Sequence, residues 1–326
     1  MPNISMKKEA RKLEPVRENM RVALIAKPLA GRRNKSNQIS QAVDQLAACH
    51  IHCEVFETQY HAHALKIVQG LPLSRFDALI AMGGDGTNYH LLNGVLKFHG
   101  DRTIPPLGII PVGRGNSFAK DLNIHSIADG IAAIIRQRTL AVDVCRFTQG
   151  HESFYFVNLM GFGFVTDAAH TAARFGWAGD LSYVIGVLHR TIGLQFHQME
   201  LEIDGKSYGG RNCFVEFCNS RYTGGDMLMA PEAKIDDGCF DAVILSPLSR
   251  LNLITTFPKI FKGTHITNPR VRVLRGKRAV VRTVPEKGLL PDGEIFGTTP
   301  TTVTVLPRRV RYFAGMKIFG TVPLDE

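Results

Sequence analysis

Apolar and polar positions follow two rhythms along the first third of the chain. Arg21 to Ala26 is a short, nearly continuous apolar run that reads as a buried strand, and Ser36 to Ala48 then places Ile39, Val43 and Leu46 on one helical stripe. The succession repeats, with Cys53 to Glu57 as strand, His61 to Val68 as helix, Asp77 to Ala81 as strand, Asn88 to Phe98 as helix and Leu107 to Ile110 as strand. Strand and helix alternating across short links predict an α/β unit with a parallel, doubly wound sheet. From about Thr139 the pattern changes. Val157, Val215, Val243, Val271 to Val273, Val280 with Val281, and Val303 to Val305 sit in β-branched runs separated by Gly, Pro and Asp turns, which predicts a mainly antiparallel β region. Helical interruptions are expected at Val165 to Arg174 and Leu181 to Thr191. The expected division is a charged leader over 1–20, an α/β unit over 21–139 and a β-rich unit over 140–308, with the tail 309–326 packing back on the first unit. No repeat or low-complexity linker marks the boundary.

Composition adds bounds. With 326 residues, 44% hydrophobic and 21% charged, the chain is an ordinary globular sequence long enough for two domains sharing a cleft. No run approaches the roughly 18 apolar residues of a membrane span, and Met1 to Met20 has no apolar core of a signal peptide. The expected location is cytoplasmic, with any membrane contact peripheral. A net charge of +10 suits nucleic acid, anionic headgroups or a polyphosphate and does not choose among them. The six cysteines are scattered, as in a reduced protein, and Cys213 and Cys218 point to opposite faces of one strand. Cys49-His50-Ile51-His52-Cys53 straddles a helix end and a strand start and lacks a second ligand pair at zinc-site spacing, so these residues read as packing.

The sharpest local signal is Ala81-Met82-Gly83-Gly84-Asp85-Gly86-Thr87, placed where a strand ends and a helix begins. Glycines there let backbone approach an anion, and the helix start aims unpaired N–H groups at phosphate oxygens. Asp85 is out of place in a simple anion cradle, because its charge repels phosphate unless a Mg²⁺ ion or an incoming proton accompanies it. The other reading is a tight turn with an exposed Asp. A second glycine-rich turn, Pro111-Val112-Gly113-Arg114-Gly115-Asn116-Ser117, follows the next strand. Both turns would lie at the carboxyl edge of the sheet, where open α/β folds bind ligands. No Walker loop and no GxGxxG fingerprint is present.

These motifs resemble the diacylglycerol kinase catalytic-domain family, which includes sphingosine and ceramide kinases. The resemblance rests on the ordered set Gly83 to Thr87, Asn93-Gly94, Pro106 to Pro111, Gly113, Gly115-Asn116, Phe118-Ala119, Gly224-Gly225, Met229-Ala230-Pro231, Asp237-Gly238 and Asp292-Gly293-Glu294. It implies an NAD kinase-like nucleotide-binding α/β domain, a β-sandwich domain for the lipid substrate, and γ-phosphate transfer from ATP with Mg²⁺ to a lipid hydroxyl. Gly83, Gly84, Asp85, Gly86 and Thr87 would contact phosphates, Thr58 would bind nucleotide, and Gly113, Arg114, Gly115 and Asn116 would close the nucleotide site. Glu294 matches the proton acceptor of bacterial members and Asp85 that of sphingosine kinases; Glu294 is favoured as base, with Asp85 organising Mg²⁺ and the γ-phosphate. Asp237, with the carbonyls of Lys234 and Cys239, resembles a structural Mg²⁺ loop; an Asp-Gly turn before strand Phe240 to Leu245 is the other reading.

Departures from the family pattern are Arg114 for a small hydroxyl residue, Ser117 for Asp, His90 for Glu and Lys27-Pro28-Leu29-Ala30-Gly31 for an Asn-Pro-x-Ser-Gly entry. The basic residues Arg270, Arg272, Arg275, Lys277, Arg278 and Arg282 read either as a solvated sheet face or as a patch attracting anionic membrane. The aromatics Phe154, Tyr155, Phe156, Phe162, Phe164, Phe175 and Trp177 read either as core or as the lining of a lipid cleft. Expected partners are ATP and a lipid at a membrane surface; nucleic acid is not expected, since aromatics do not interleave with the basic cluster. A homodimer is left open. The rivals are an NAD kinase-like soluble-substrate kinase and a catalytically silent nucleotide-binding regulator.

Overall fold

The computed structural model describes residues 19–27, 36–175 and 182–319. The leader through residue 18, the entry from Pro28 to Gly31, Trp177 and the end of the tail lie outside the described residues. Strands β1 (Met20–Ala26), β2 (Ile51–Glu57), β3 (Ala78–Gly83) and β4 (Leu107–Pro111) form a parallel array in the order β2-β1-β3-β4. β3 and β4 are buried along their whole length, because helices cover both faces. Helix α1 (Ser36–Ala47) packs with α5 (Ile127–Ile135), and α2 (His63–Gly70) with α3 (Asp85–His99); the short α4 (Ser117–Asp121) follows β4. Gly94 permits the α2–α3 approach, since a Cβ there would come within 2.8 Å of Val68. Helix α3 begins three residues before the expected Asn88, because the glycine turn itself forms its first turn.

The β-rich half is mainly antiparallel, as the valine-rich runs predict, and forms the sandwich that the family resemblance implies. β5 (Thr139–Gln149), β6 (Glu152–Phe156), β8 (His197–Ile203), β9 (Lys206–Asn212), β15 (Arg278–Val284) and β17 (Thr301–Phe313) continue the first sheet to ten strands. The facing five-stranded sheet runs β14 (Val271–Gly276), β13 (Phe240–Leu245), β10 (Phe214–Cys218), β7 (Leu159–Gly163), β16 (Leu289–Pro291). Phe147, Phe156, Phe162, Phe217 and Phe240 fill the space between them. On the outer face of the second sheet lie α6 (Phe164–Arg174), α7 (Ser182–Ile192) and α8 (Arg250–Thr256), together with the small hairpin β11 (Tyr222–Thr223) and β12 (Met227–Leu228).

Strand β17 accounts for the missing linker. Its first residues pair with β15, its length pairs antiparallel with β5, and Tyr312 pairs in parallel with Leu107 of β4. Residues Val310 to Phe313, expected in a tail packing back on the α/β unit, are therefore an integral strand beside it. An irregularity between Leu306 and Val310, with Arg308 in the left-handed region, re-aims the strand where it passes from one half to the other.

The buried carboxyl of Glu216 forms no ion pair among the described residues. Glu216 on β10 is held in the space left by Gly161 across the ladder, and burial pushes its carboxyl up to about 8. The protonated form is the one the fold holds, so its stabilisation is complete below the ordinary value of 4.5 and is lost as pH rises through about 8. Glu216→Gln is therefore expected to gain stability relative to wild type between about pH 5 and about pH 9, by up to ~1 kcal/mol per pH unit. Thermal melts across that range check it; a constant difference counts against it.

Candidate active site

Four β-to-α connections end at one edge of the parallel sheet. Lys27 follows β1, Thr58 to His63 follow β2, Gly83 to Thr87 follow β3, and Val112 to Asn116 follow β4. Backbone bonds tie them together: Thr58 N–H to the Ala26 carbonyl (2.8 Å), Lys27 N–H to Met82 (3.1 Å) and Val112 N–H to Gly83 (3.0 Å). The two glycine turns touch backbone to backbone, and a Cβ on Gly113 would lie 2.5 Å from the Gly84 Cα. A cavity of about 370 Å³ opens above this edge, lined by Lys27, Thr58, Gly83, Gly84, Gly86, Thr87, Gly113, Arg114, Glu294 and the residues Tyr60 to Ala64.

Glu294 reaches this cavity from the other half of the molecule. It follows a turn in which Asp292 and Gly293 both have positive φ, closed by a bond from Glu294 N–H to the Pro291 carbonyl (2.8 Å). A Cβ on Gly86 would lie 2.2 Å from Glu294 Oε1, so only glycine allows the carboxylate to sit on the phosphate-loop helix start. The turn is pinned by Asp292, whose buried carboxyl accepts N–H bonds from Val157 (3.2 Å), Asn158 (2.9 Å) and Leu159 (3.1 Å). Burial dominates and raises that carboxyl to about 7 despite the three donors. Asp292→Ala would strand those donors; we expect a loss of roughly 2–4 kcal/mol and at least about a tenfold fall in kcat as Glu294 drifts. Urea melts paired with turnover check this, and unchanged kcat in a folded variant would refute the pinning role.

Asp85 does something different. Its carboxylate turns away from the cavity and accepts the N–H groups of Ser117 (3.0 Å) and Phe118 (3.3 Å), bridging the first glycine turn to the start of α4. Burial raises its carboxyl, with the two N–H bonds and Lys120 opposing. Gly115 and Asn116 belong to this bridge rather than to the cavity wall: a Cβ on Gly115 would stand 3.0 Å from Asp85, and Asn116 donates to the Gly113 carbonyl (2.7 Å). Helix α4 in turn docks on the β half. Ser117 Oγ accepts from Gly225 N–H (3.0 Å), Lys120 donates to the Gly225 carbonyl (2.7 Å), and Arg221 pairs with Asp121 (2.6 Å).

The Lys234–Cys239 segment lies elsewhere and has the form of a turn. The Asp237 carboxylate is engaged by the Arg275 guanidinium and by Cys239 N–H (3.1 Å), while Asp143 accepts from Gly238 (2.5 Å) and Arg308 (2.7 Å). As arranged, the Arg275 guanidinium is the counter-charge of Asp237. The basic cluster also divides. Arg272 lies over Tyr208, Arg275 pairs with Asp237, and Arg282 stands opposite Glu200 on the neighbouring strand. Of the aromatics that read either as core or as cleft, Phe154, Phe156 and Phe162 belong to or pack on the sandwich core; Phe164 lines a separate apolar cavity of about 50 Å³ with Phe214, Met227, Leu253, Ile260 and His265.

Sequence reasoning missed His61 and noted His90 only as a departure. His61 Nε2 lies 2.7 Å from Glu294 Oε2, and His90 Nε2 lies 3.9 Å from the same oxygen. Burial lowers the His90 imidazole, opposed by Glu294 and reinforced by His61 and Lys27. Topology held the missing signal, since every β-to-α connection of a parallel sheet ends at the same edge, including the one after β2.

The two-domain fold has relatives among known proteins, and those relatives support a kinase. Residues 21–147 match the diacylglycerol kinase catalytic domain, and residues 158–314 match the YegS C-terminal NAD kinase beta sandwich-like domain. The chain belongs to the diacylglycerol kinase catalytic-domain family. It is 27% identical to sphingosine kinase 1 of Arabidopsis thaliana over 80% of this chain and 64% of that protein. It is 26% identical to a diacylglycerol kinase of Bacillus subtilis (strain 168) over 89% of this chain and 95% of that one. A crystal structure of a diacylglycerol kinase from Bacillus anthracis shares the fold with a TM-score of 0.71 at 22% identity, covering 92% of this chain and 98% of that chain.

Proposed function

We propose that this protein is an ATP-dependent lipid kinase that moves the γ-phosphate of ATP to a hydroxyl of a diacylglycerol- or sphingoid-type lipid. One observation carries the reading: a carboxylate from the β half, Glu294, stands over the Gly86 helix start in a cavity walled by two glycine turns. The acceptor oxygen attacks the γ-phosphorus, the bond from phosphorus to the β–γ bridging oxygen breaks, ADP leaves, and the hydroxyl proton passes to Glu294. Thr58, Thr87 and the glycine turns would hold the nucleotide, with Lys27 and Arg114 adding positive charge beside the phosphates. Asp85 would keep the two turns in register. Glycine at Gly84 and Gly113 lets the two turns close on each other, since a Cβ on either would meet the backbone of the other. Mg²⁺, carried in on ATP, would offset phosphate charge when bound.

The cavity beneath α6 and α8 is lined almost wholly by apolar side chains, the surroundings an acyl chain would favour, and at about 50 Å³ it would have to open to take one. Nearby elements expose Ile192 on α7, Leu251 and Ile254 on α8, and Phe261 in the following turn, interspersed with Arg190, Arg250, Lys259 and Lys262. Apolar side chains among basic ones suit an anionic membrane surface, which supports peripheral docking of a cytoplasmic enzyme. No helix among the described residues is long and apolar enough to cross a membrane. Ile192→Glu combined with Leu251→Glu is expected to lower turnover on lipid in anionic vesicles about tenfold or more, with ATP affinity unchanged. Equal turnover in vesicle and detergent assays for wild type and variant would remove the docking face.

The deciding experiment is transfer of labelled γ-phosphate from ATP with Mg²⁺ to a panel of lipids in mixed micelles, with NAD and a lipid-free control alongside. A labelled lipid identifies the acceptor. Label on NAD alone, or ATP binding without transfer to anything, overturns the reading in favour of the soluble-substrate kinase or the silent regulator.

A further inference from the structure

His61, His90 and Glu294 offer three ligand atoms that all lie within 4.8 Å of one another, the only such convergence of metal-ligating side chains among the described residues. We propose that they form a transition-metal site of the Zn²⁺ class at the mouth of the nucleotide cavity, and that its occupation inhibits the enzyme. Two imidazoles, which are borderline donors, beside one carboxylate favour Zn²⁺, Co²⁺ or Ni²⁺ over Mg²⁺.

The arrangement is close to what such an ion needs. Tetrahedral zinc with nitrogen and oxygen ligands sets donor atoms about 3.3 Å apart. The two separations to Glu294 Oε2, 2.7 Å from His61 and 3.9 Å from His90, bracket that value, so small rotations suffice. His90 Nε2 is the second, independent sign. It is enclosed, has no hydrogen-bond partner and faces the Glu294 carboxylate, an unusual state for a buried ring nitrogen. The His61 and His90 rings meet edge to face with centroids 5.0 Å apart. His61 is largely exposed, with 75% of its side-chain surface accessible, so an ion can enter without unfolding the site.

The inhibitory consequence rests on the proposed role of Glu294. A carboxylate donating its lone pair to a metal ion is no longer free to take the acceptor proton. Binding itself does not depend on that role.

The test uses the full chain stripped of metal with chelator. Calorimetry with Zn²⁺ alone, without nucleotide, should show one ion per chain, and Co²⁺ should develop the visible bands of a four-coordinate site. His61→Ala, an exposed position that leaves the core intact, should weaken binding about 10- to 100-fold, and His90→Ala should do the same. In the Mg²⁺-ATP assay the Zn²⁺ concentration for half-inhibition should rise at least about tenfold in His61→Ala. Zn²⁺ binding that survives both histidine variants but disappears in Cys49→Ser with Cys53→Ser overturns the site, as does no binding at all. Binding lost in the histidine variants, with no inhibition of wild type, supports the site but overturns its inhibitory role and, with it, Glu294 as the base.

Discussion

Glu294→Gln is expected to reduce kcat for phosphoryl transfer by about 10²- to 10⁴-fold while leaving the fold and ATP affinity near wild type. Glutamine has the same length and shape, so it still fits over Gly86, where a Cβ would meet Glu294 Oε1. The turn that carries it stays fixed through Asp292, which is untouched. What disappears is the ability to accept a proton from the lipid hydroxyl. Steady-state turnover with ATP affinity measured separately checks it; near-normal kcat in the folded variant removes Glu294 from proton transfer.

Asp85→Asn is expected to lower kcat/KM about 10²-fold by another route. Both Asp85 oxygens accept backbone N–H groups at the start of α4. An amide keeps one acceptor and sets a donor against a donor, which pushes the two glycine turns apart. Because those turns also touch at Gly84 and Gly113, ATP affinity should fall along with kcat. That pairing separates the alternatives. A fall in kcat at unchanged ATP affinity would mean that Asp85 is itself the base, in place of Glu294.

Much of the architecture was legible because it depends on local pattern. β1, β3 and β4 are short apolar runs bounded by glycine, proline or charged residues, and both glycine turns sit at strand ends where topology requires the ligand edge to be. Strand Phe240–Leu245 appears where its composition places it. What stayed hidden depends on distant approach. Nothing in the order of residues says that Glu294 would stand on Gly86, that His61 would lie 2.7 Å from it, or that Arg275 would occupy Asp237. The orientation of Asp85 was hidden for the same reason: a residue inside a phosphate-loop motif reads as facing the ligand, while its partners lie on α4, thirty-two and thirty-three residues onward.

Strand β17 bears on how the chain is made. The outer edge of β4 meets Tyr312 only after nearly the whole polypeptide has been synthesised, and the partner of Val142 is Val310. During translation the early half must therefore wait with an open strand edge, a surface prone to pairing with other chains. A fragment ending near residue 147 would keep that edge permanently bare. Ribosome-bound or truncated forms of this protein should accordingly depend on chaperones more than the finished chain, whose edge β17 covers.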